Sequence, residues 1–326
     1  MDRRTLISTA VGALLVKAFP ANAQPATKIY RIGTLSLASS NNTTLGTVLG
    51  KPLSARGYVV GKNISFVERS AEGNVGRLPL LAAELVDLNV DIIVAGSVVA
   101  IRAAHGATTT IPIVMAFSGD DPVKSGFVTS LAHPGGNITG VTAQVRELAP
   151  KCMDVLRDAM PGIKRIAILT NPLRLEHADY VTMMRAGQPQ GLRLQAVEAR
   201  AADQYESAFA AMTKEHADAV IILGDVVFTR DSRQLAELAE AHRLPSIYIF
   251  RAFVAAGGML SYGPDEAQLV ELAAQYVDRI LKGANPADLA VEQPTKFHIA
   301  INLKTAKALG LTMPPSLLVR ADEVVQ

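Results

Sequence analysis

The sequence of 326 residues has no tryptophan and one cysteine, Cys152. A single cysteine cannot form a disulfide within the chain, which excludes a small disulfide-stapled scaffold. It also stands in no C-x-x-C or other metal-ligand spacing, and a cofactor-independent racemase would need two facing thiols. We therefore expect Cys152 to fill the core beneath an amphipathic helix.

The common catalytic and nucleotide-binding motifs are absent as well. Neither H-E-x-x-H nor G-x-S-x-G nor G-x-G-x-x-G nor G-x-x-x-x-G-K-[ST] occurs. The six histidines are scattered without the spacing of metal ligands, so we expect no metal and no cofactor. The net charge of +2 gives no field that would gather nucleic acid or acidic membrane, and neither is expected as a partner.

The composition is that of a folded chain with a large core. Apolar residues make up 49% and charged residues 19%, which is too apolar for disorder. The length exceeds one ordinary domain of about 100 to 200 residues, so we expect two lobes or one large α/β unit.

The first 23 residues have the pattern of an export signal. Arg3 and Arg4 precede a mostly apolar run over 6–19, and an A-x-A pattern ends at Ala23. We expect cleavage there and a mature protein in the periplasm, without an attached lipid because no cysteine sits at the cleavage site. The arginine pair resembles a twin-arginine signal, but the general secretory route fits equally well. No later stretch has about 18 uninterrupted apolar residues, so no further membrane segment is expected.

Short β-rich runs alternate with helical periods from Lys28 onwards, which indicates parallel sheets covered on both faces. The predicted strands are 29–35, 91–95, 111–117, 165–170, 193–197, 219–223 and 246–250. The strongest helix is predicted over 265–282, with an apolar stripe and Gly283 at its end. A Pro/Gly-rich passage at 133–140 separates two blocks of roughly 110 to 120 residues and is predicted to be a crossover between two similar lobes.

Ligands in open parallel sheets bind beyond the carboxyl ends of the strands, where helix N-termini offer N–H groups. The residues that follow the predicted strands are Ser36, Ser39, Gly96, Ser97, Ser118, Gly119, Asp120, Asp121, Asn171, Asp225, Phe228, Phe250, Arg251 and, further on, Tyr262. Small hydroxyls and glycines let a carboxylate approach backbone N–H groups, while Asp120 or Asp121 could pair with an ammonium. Ordinary turn chemistry explains the same residues, so both interpretations stay open.

Four segments, at 111–140, 243–248, 257–263 and 293–306, occur together in an order that resembles the solute-binding proteins of ABC importers. The branch with the most similar segments includes tryptophan and phenylalanine binders. The resemblance covers nearly the whole chain after the signal.

This resemblance implies a periplasmic-binding-protein fold of type I, with two doubly wound parallel-sheet lobes joined by a hinge of three crossings. The implied lobes are 28–143 plus 263–290, and 144–262 plus 291–326. It also implies that Thr139 contributes to the ligand site, that a permease in the inner membrane is the partner, and that the protein is a monomer without enzymatic activity. The expected ligand is a small carboxylate, for this branch an amino acid, with an aromatic one favoured.

The sequence departs from the family pattern at 41–52 and at 173–177, and both departures leave the identity of the ligand open. Because tryptophan is absent, stacking on an aromatic ligand would fall to Phe117, Phe228, Phe250 or Tyr262. Two alternatives remain. One is an α/β enzyme that uses an aspartate as acid or base, and the other is the two-lobed sensor domain of a regulator.

Overall fold

The computed structural model describes residues 28–37, 44–143 and 148–326, so the predicted signal segment 1–23 and Ser39 lie outside the described residues. The strands in these ranges are β1 (Tyr30–Ser36), β2 (Ile64–Ser70), β3 (Ile92–Ala95), β4 (Ile113–Ser118), β5 (Ile138–Thr142), β6 (Arg165–Thr170), β7 (Arg193–Glu198), β8 (Ala219–Ile222), β9 (Ser246–Tyr248), β10 (Leu260–Pro264), β11 (Phe297–Asn302) and β12 (Glu323–Val325). The α-helices are α1 (Leu45–Ser54), α2 (Leu78–Asp87), α3 (Val98–Ala107), α4 (Leu148–Ala159), α5 (Leu175–Ala186), α6 (Tyr205–Lys214), α7 (Val226–Arg230), α8 (Ser232–Ala241), α9 (Arg251–Ala255), α10 (Glu266–Leu281), α11 (Leu303–Ala308) and α12 (Pro315–Arg320).

The strands form two sheets. The first has the order β2-β1-β3-β4-β5, and its pairs are parallel. The second has the order β12-β11-β10-β9-β8-β6-β7, and its pairs are parallel except for β10 with β11. Helices cover both faces of each sheet, as β6 illustrates: Ile166 and Ile168 pack into one apolar cluster, Ala167 and Leu169 into another. The predicted α/β class with two parallel-sheet lobes is confirmed.

The seven predicted strands all form, with ends that lie within about two residues of those predicted. Several of them are continuous apolar runs, which favour burial on both faces of a parallel sheet. The strongest predicted helix forms as α10, with Asp265 as its N-cap and Lys282 as its C-cap. Cys152 is fully buried in α4, where it packs into the core as predicted.

The Pro/Gly-rich passage at 133–140 is not the crossover that we predicted, because it leads into the edge strand β5. The Asn137 side chain donates to the backbone carbonyl of Ile111 at 2.8 Å and so guides the chain towards β4. Gly140 has a φ of +129°, and a Cβ on it would lie 2.4 Å from the carbonyl oxygen of Met115. Gly140 therefore lets β5 lie close to β4, and the chain crosses to the second sheet only after β5.

The chain passes between the sheets three times, from β5 to α4, from β10 to α10, and from Glu292 to β11. Helix α10 follows a strand of the second sheet, but its apolar stripe packs on the first lobe, where Leu269 and Tyr276 join the core. A parallel bridge between Val141 and Glu292 ties the last pass to β5.

The division into lobes at 143, 263 and 290 stays a prediction. In the structure, β10 continues in the second sheet through Pro264, and Val291 packs into the core of the first lobe. A search of the described helices for a segment long and apolar enough to cross a bilayer finds none.

Candidate functional site

The carboxyl ends of strands from both sheets face one another across a cleft. Within it lies a cavity of about 50 Å³, which holds a few water molecules and is far below the roughly 300 to 1,000 Å³ of typical small-molecule pockets. The first lobe lines it with Gly96, Ser97, Val98, Phe117, Gly119 and Asp120, and the second with Arg174, Tyr180, Gly224, Asp225, Val226 and Phe250. The cleft is nearly closed in this state.

The first wall begins where β3 ends and α3 starts. Ser97 has an extended backbone and is the N-cap of α3, where its hydroxyl accepts a 3.4 Å hydrogen bond from the backbone N–H of Ala100. The N–H groups of the first helical turn have no partner within the helix and carry the positive end of its dipole. This end of the wall favours an anionic group of a ligand.

Asp120 lies beyond the end of β4, and its side chain is 3% exposed. Arg174 of the second lobe donates from Nη2 to both carboxylate oxygens, at 2.9 and 3.1 Å. The Tyr180 hydroxyl lies 3.5 Å from Oδ1 of the same carboxylate. A buried charge pair therefore spans the cleft, and each charge depends on the other because both have left bulk water.

The second wall is held by a polar network around His177, which is 2% exposed. Its Nδ1 accepts the backbone N–H of Asn171 at 2.9 Å, so Nδ1 carries no proton, while Nε2 lies 3.3 Å from the carbonyl of Gly224 and donates to it. The Asn171 amide donates to Asp225 Oδ2 at 3.4 Å, and Asp225 caps α7 through two backbone N–H groups. The neutral imidazole thus joins the ends of β6 and β8.

Two phenylalanines meet across the cleft, Phe117 from the end of β4 and Phe250 from the end of β9. Their ring centroids are 5.5 Å apart and the rings are inclined at 68°, an edge-to-face pair. Such pairs contribute about 0.5–1.5 kcal/mol beyond the burial of their area. Each lobe thus offers one aromatic face to the cleft.

The structure brings seven of the predicted residues to the cavity lining: Gly96, Ser97, Phe117, Gly119, Asp120, Asp225 and Phe250. Ser118 and Asn171 lie directly behind the wall. Ser118 donates its hydroxyl to the carbonyl of Asp120 at 3.2 Å, and Asn171 belongs to the network of His177. Ser36 ends β1, half-buried and in register with Ser70.

Two further predicted residues, Thr139 and Asp121, form hydrogen bonds within the protein. The buried Thr139 hydroxyl donates to the carbonyl of Leu289 at 2.6 Å and ties β5 to the segment after α10. Asp121 accepts the backbone N–H of Val123 at 3.0 Å and closes a turn.

Arg251 forms an ion pair with Glu323 of β12, at the edge of the second sheet and outside the cavity lining. The hydrogen bond from Arg251 lowers the pKa of the Glu323 carboxyl. The pair is about a third to a half exposed, so it contributes little to stability.

The two remaining aromatic candidates pack into the second lobe. Phe228 is fully buried against His177 and Tyr205, with centroid distances of 6.5 and 5.9 Å. Tyr262 stacks on Phe297 at 5.9 Å. Neither ring lines the cavity.

Arg174, Tyr180 and His177 are the polar residues of the cleft that we did not predict. Arg174 and His177 fall in the segment 173–177 that departs from the family pattern, and this departure was the available signal. An arginine that follows a strand is usually interpreted as an exposed charge. The residues around Arg174 do not show that a second lobe lies opposite it. Among the described residues, no group of three His, Cys, Asp or Glu side chains is placed to hold a metal ion.

Two parallel-sheet lobes, three connecting passes and a cleft walled by both lobes are the architecture of the type I fold of solute-binding proteins. The family model described as ABC transporter substrate binding protein matches residues 39–325, and the chain belongs to that family.

Three proteins illustrate what this chain is similar to. A tyrosine-binding protein of Clostridioides difficile (strain R20291) is 25% identical over 263 residues, which are 80% of this chain and 75% of that protein. A conserved domain protein from Vibrio cholerae is 26% identical, with a TM-score of 0.82 over 91% of this chain and all of that one. An ABC domain in complex with L-Trp from Streptococcus pneumoniae is 23% identical, with a TM-score of 0.80 and the same coverage.

Proposed function

We propose that this protein is the extracytoplasmic binding component of an ABC importer and captures an aromatic amino acid by closure of its two lobes. The observation that carries the proposal is the cleft itself, which places an opposite-charge pair beside two facing phenylalanines. An amino acid offers an ammonium, a carboxylate and an apolar side chain, and each of these has a counterpart there. The names of the tyrosine-binding relative and of the L-Trp complex agree with this ligand class.

The aromatic ring of the ligand would lie between Phe117 and Phe250. A ring stacked on both faces needs about 7 Å between the outer rings, because each stacked contact takes about 3.5 Å. The present centroid distance is 5.5 Å, so the lobes must separate before the ligand enters and close again around it. Closure then follows from contacts that the ligand makes to both walls only in the closed state.

The polar groups of the cleft favour binding over catalysis. Asp120 is held by Arg174, Asp121 closes a turn, and Asp225 caps α7. A general base must instead place a carboxylate oxygen within hydrogen-bond distance of the substrate proton that it removes. The ligand is therefore expected to leave the protein chemically unchanged, delivered to a permease in the inner membrane.

Thermal unfolding with and without each of the twenty amino acids tests the ligand class. A ligand at about 100 times its Kd stabilises the folded state by about 2.7 kcal/mol, which raises the Tm by several degrees. We expect this rise with phenylalanine, tyrosine or tryptophan, and recovery of the same compound unaltered by mass spectrometry. A screen that is silent for these three, or recovery of a different compound, would contradict the proposal.

The variant Phe250→Ala removes one face of the aromatic slot and should weaken binding of the active amino acid about tenfold in calorimetry. The matched control is Phe297→Ala, since Phe297 also pairs with an aromatic ring but does so outside the cavity lining. The control should lose stability while it keeps its affinity. Equal affinities for both variants would remove Phe250 from the site.

Placement outside the cytoplasm rests on the sequence of the first 23 residues. We expect the protein in the osmotic-shock fluid of cells that express the full chain, and in the cytoplasm when residues 2–23 are deleted. Substitution of Arg3 and Arg4 by lysine distinguishes the routes, because the twin-arginine route depends on the arginine pair and the general secretory route only on positive charge.

A further inference from the structure

We propose that Gln268 fastens two of the three connecting passes to each other, so that both bend at one level and the lobes turn about a single axis. The inference rests on the proposed function, since it concerns how the lobes close. Gln268 is then a positioning residue of the hinge, and it does not belong to the cavity lining.

The two passes lie side by side in opposite directions. One leaves β10 at Pro264 and enters α10 after Asp265, and the other returns through 292–296 into β11. The antiparallel pairing of β10 with β11 reaches as far as Pro264 opposite Phe297, and the backbone N–H of Asp265 then donates to the carbonyl of Lys296 at 3.0 Å. The passes are therefore bonded to each other where they leave the second sheet.

The Gln268 side chain adds three bonds beside this point. Its amide oxygen accepts the backbone N–H groups of Thr295 and Lys296, at 3.2 and 3.0 Å, and its amide nitrogen donates to the Thr295 hydroxyl at 3.1 Å. We call these three bonds the Gln268 clasp. Because α10 packs on the first lobe, the clasp holds the returning pass to that lobe.

The beginning of the returning pass is fixed to the first lobe as well. Hydroxyl groups of β5 and α10 donate to the carbonyls at 289–290, and the backbone of Glu292 pairs with β5. Only residues 293–294 lie between these bonds and the clasp, and the second of them is a proline with a fixed φ. The bend of this pass is therefore confined to the step from Lys296 to Phe297, which is also where the other pass bends.

Loss of the clasp would change the motion of the lobes without unfolding either one. The returning pass could then bend anywhere over 293–296, so the two passes would no longer bend at the same level. The open state would spread over more orientations, and closure on a ligand would have to order this segment in addition. The clasp itself lies on the first-lobe side of the bend, so it is expected to persist in both the open and the closed state.

Distances between two spin labels, one on each lobe, test the clasp in the ligand-free protein. The label sites are the exposed positions Lys124→Cys and Asp179→Cys. Cys152 is fully buried and burial raises the pKa of its thiol, so it stays unlabelled. Gln268→Met keeps the length of the side chain and removes the three bonds, and it should widen the distance distribution about twofold.

Two further variants separate the clasp from a general effect on α10. Gln268→Glu keeps an oxygen acceptor for both backbone N–H groups and places a carboxylate at the helix N-terminus, so it should keep the wild-type width. Gln275→Met, two turns further along α10, is the matched control, because Gln275 forms none of the bonds of the clasp, and it should also keep that width. Thermal unfolding of each variant shows that it is folded.

Calorimetry gives the second measurement, with the amino acid that the wild type binds. Its affinity should fall about tenfold in Gln268→Met and stay within about twofold of the wild type in Gln268→Glu. A wild-type width in Gln268→Met, or equal broadening in Gln268→Met and Gln275→Met, would overturn the clasp and leave the proposed function standing. The label distances require no ligand, so failure of the wild type to bind any aromatic amino acid would overturn the proposed function alone.

Discussion

Three aspartates follow strands that end at the cleft, and each has a different set of partners. Asp120 pairs with an arginine of the other lobe, Asp121 accepts backbone N–H groups of its own turn, and Asp225 caps the short helix α7. In the sequence the three were equivalent candidates, because each follows a buried strand. At the scale of a residue, the partner decides the role, and only Asp120 points its charge at the opposite lobe.

A fourth aspartate, Asp231, lies behind the second wall of the cleft and is connected to it through packed aromatic rings. Asp231 accepts the Tyr205 hydroxyl at 2.8 Å, Tyr205 packs edge-on against Phe228, and Phe228 packs against His177. Burial alone would raise the pKa of Asp231, but hydrogen bonds from Arg230 and Tyr205 outweigh it and lower this pKa below its ordinary value of 3.8.

A carboxyl whose pKa is lowered in the folded state stabilises that state above the unfolded pKa and ceases to do so as the pH falls through the folded pKa. We therefore expect Asp231→Asn to reduce the free energy of unfolding by about 1 kcal/mol at pH 7. The difference from the wild type should shrink as the pH falls below the ordinary value of 3.8. Urea unfolding of both proteins at pH 7 and at pH 3 measures it, and an equal difference at both values would contradict this account.

Among the elements, the strands and helices with strong periodic patterns agree with their prediction, and the weakly patterned ones do not. Helix α10 differs by one residue at each end, since its apolar stripe and its cap at Asp265 are both local signals. β5 lies in a passage rich in proline and glycine that reads as a loop. Its strand conformation depends on the backbone of β4 beside it, which a local pattern does not contain.

Two glycines differ in the same way: a neighbouring strand requires one of them, and no neighbouring atom requires the other. Gly263 lies in β10 beside β9, and a Cβ there would be 1.8 Å from the carbonyl oxygen of Ile249. Gly50 lies within α1, and a Cβ there would meet no atom within 4 Å.

We expect Gly263→Ala to reduce the free energy of unfolding by about 3 kcal/mol or more, because backbone must move to admit the methyl group. Gly50→Ala should instead raise it by about 0.5–1 kcal/mol, since alanine favours the helix and finds open space. Chemical unfolding of the two variants measures both changes. The same sign for both would show that the close approach at Gly263 does not constrain the hinge region.

For the whole molecule, we expect the proposed balance between open and closed lobes to depend on a small set of contacts at the cleft. The bonds from Arg174 and Tyr180 to Asp120 and the ring pair of Phe117 with Phe250 connect the two walls across the cavity. The three connecting passes join the two lobes covalently. Loss of the wall contacts should therefore open the cleft without unfolding either lobe.

Small-angle scattering of the ligand-free protein measures this opening. A compact chain of this length has a radius of gyration of about 20 Å, and the double variant Arg174→Gln with Phe250→Ala should exceed the wild-type value by about 1 Å. The matched control is the double variant Arg185→Gln with Phe297→Ala. It should scatter as the wild type does, because Arg185 is exposed at the end of α5 and Phe297 lies outside the cavity lining. An unchanged radius in the first double variant would show that other contacts hold the lobes together.

The sequence by itself determined the α/β class, seven of the strands, the longest helix and several of the loops that end at the cleft. These are local properties, since burial on both faces and helical periodicity are written in neighbouring residues. Only the tertiary structure decided that Arg174 reaches Asp120, that Phe117 meets Phe250 and that Arg251 pairs with Glu323. Such contacts join residues from different strand ends, and their distances depend on how two separately packed lobes face each other, which the pattern within either lobe does not contain.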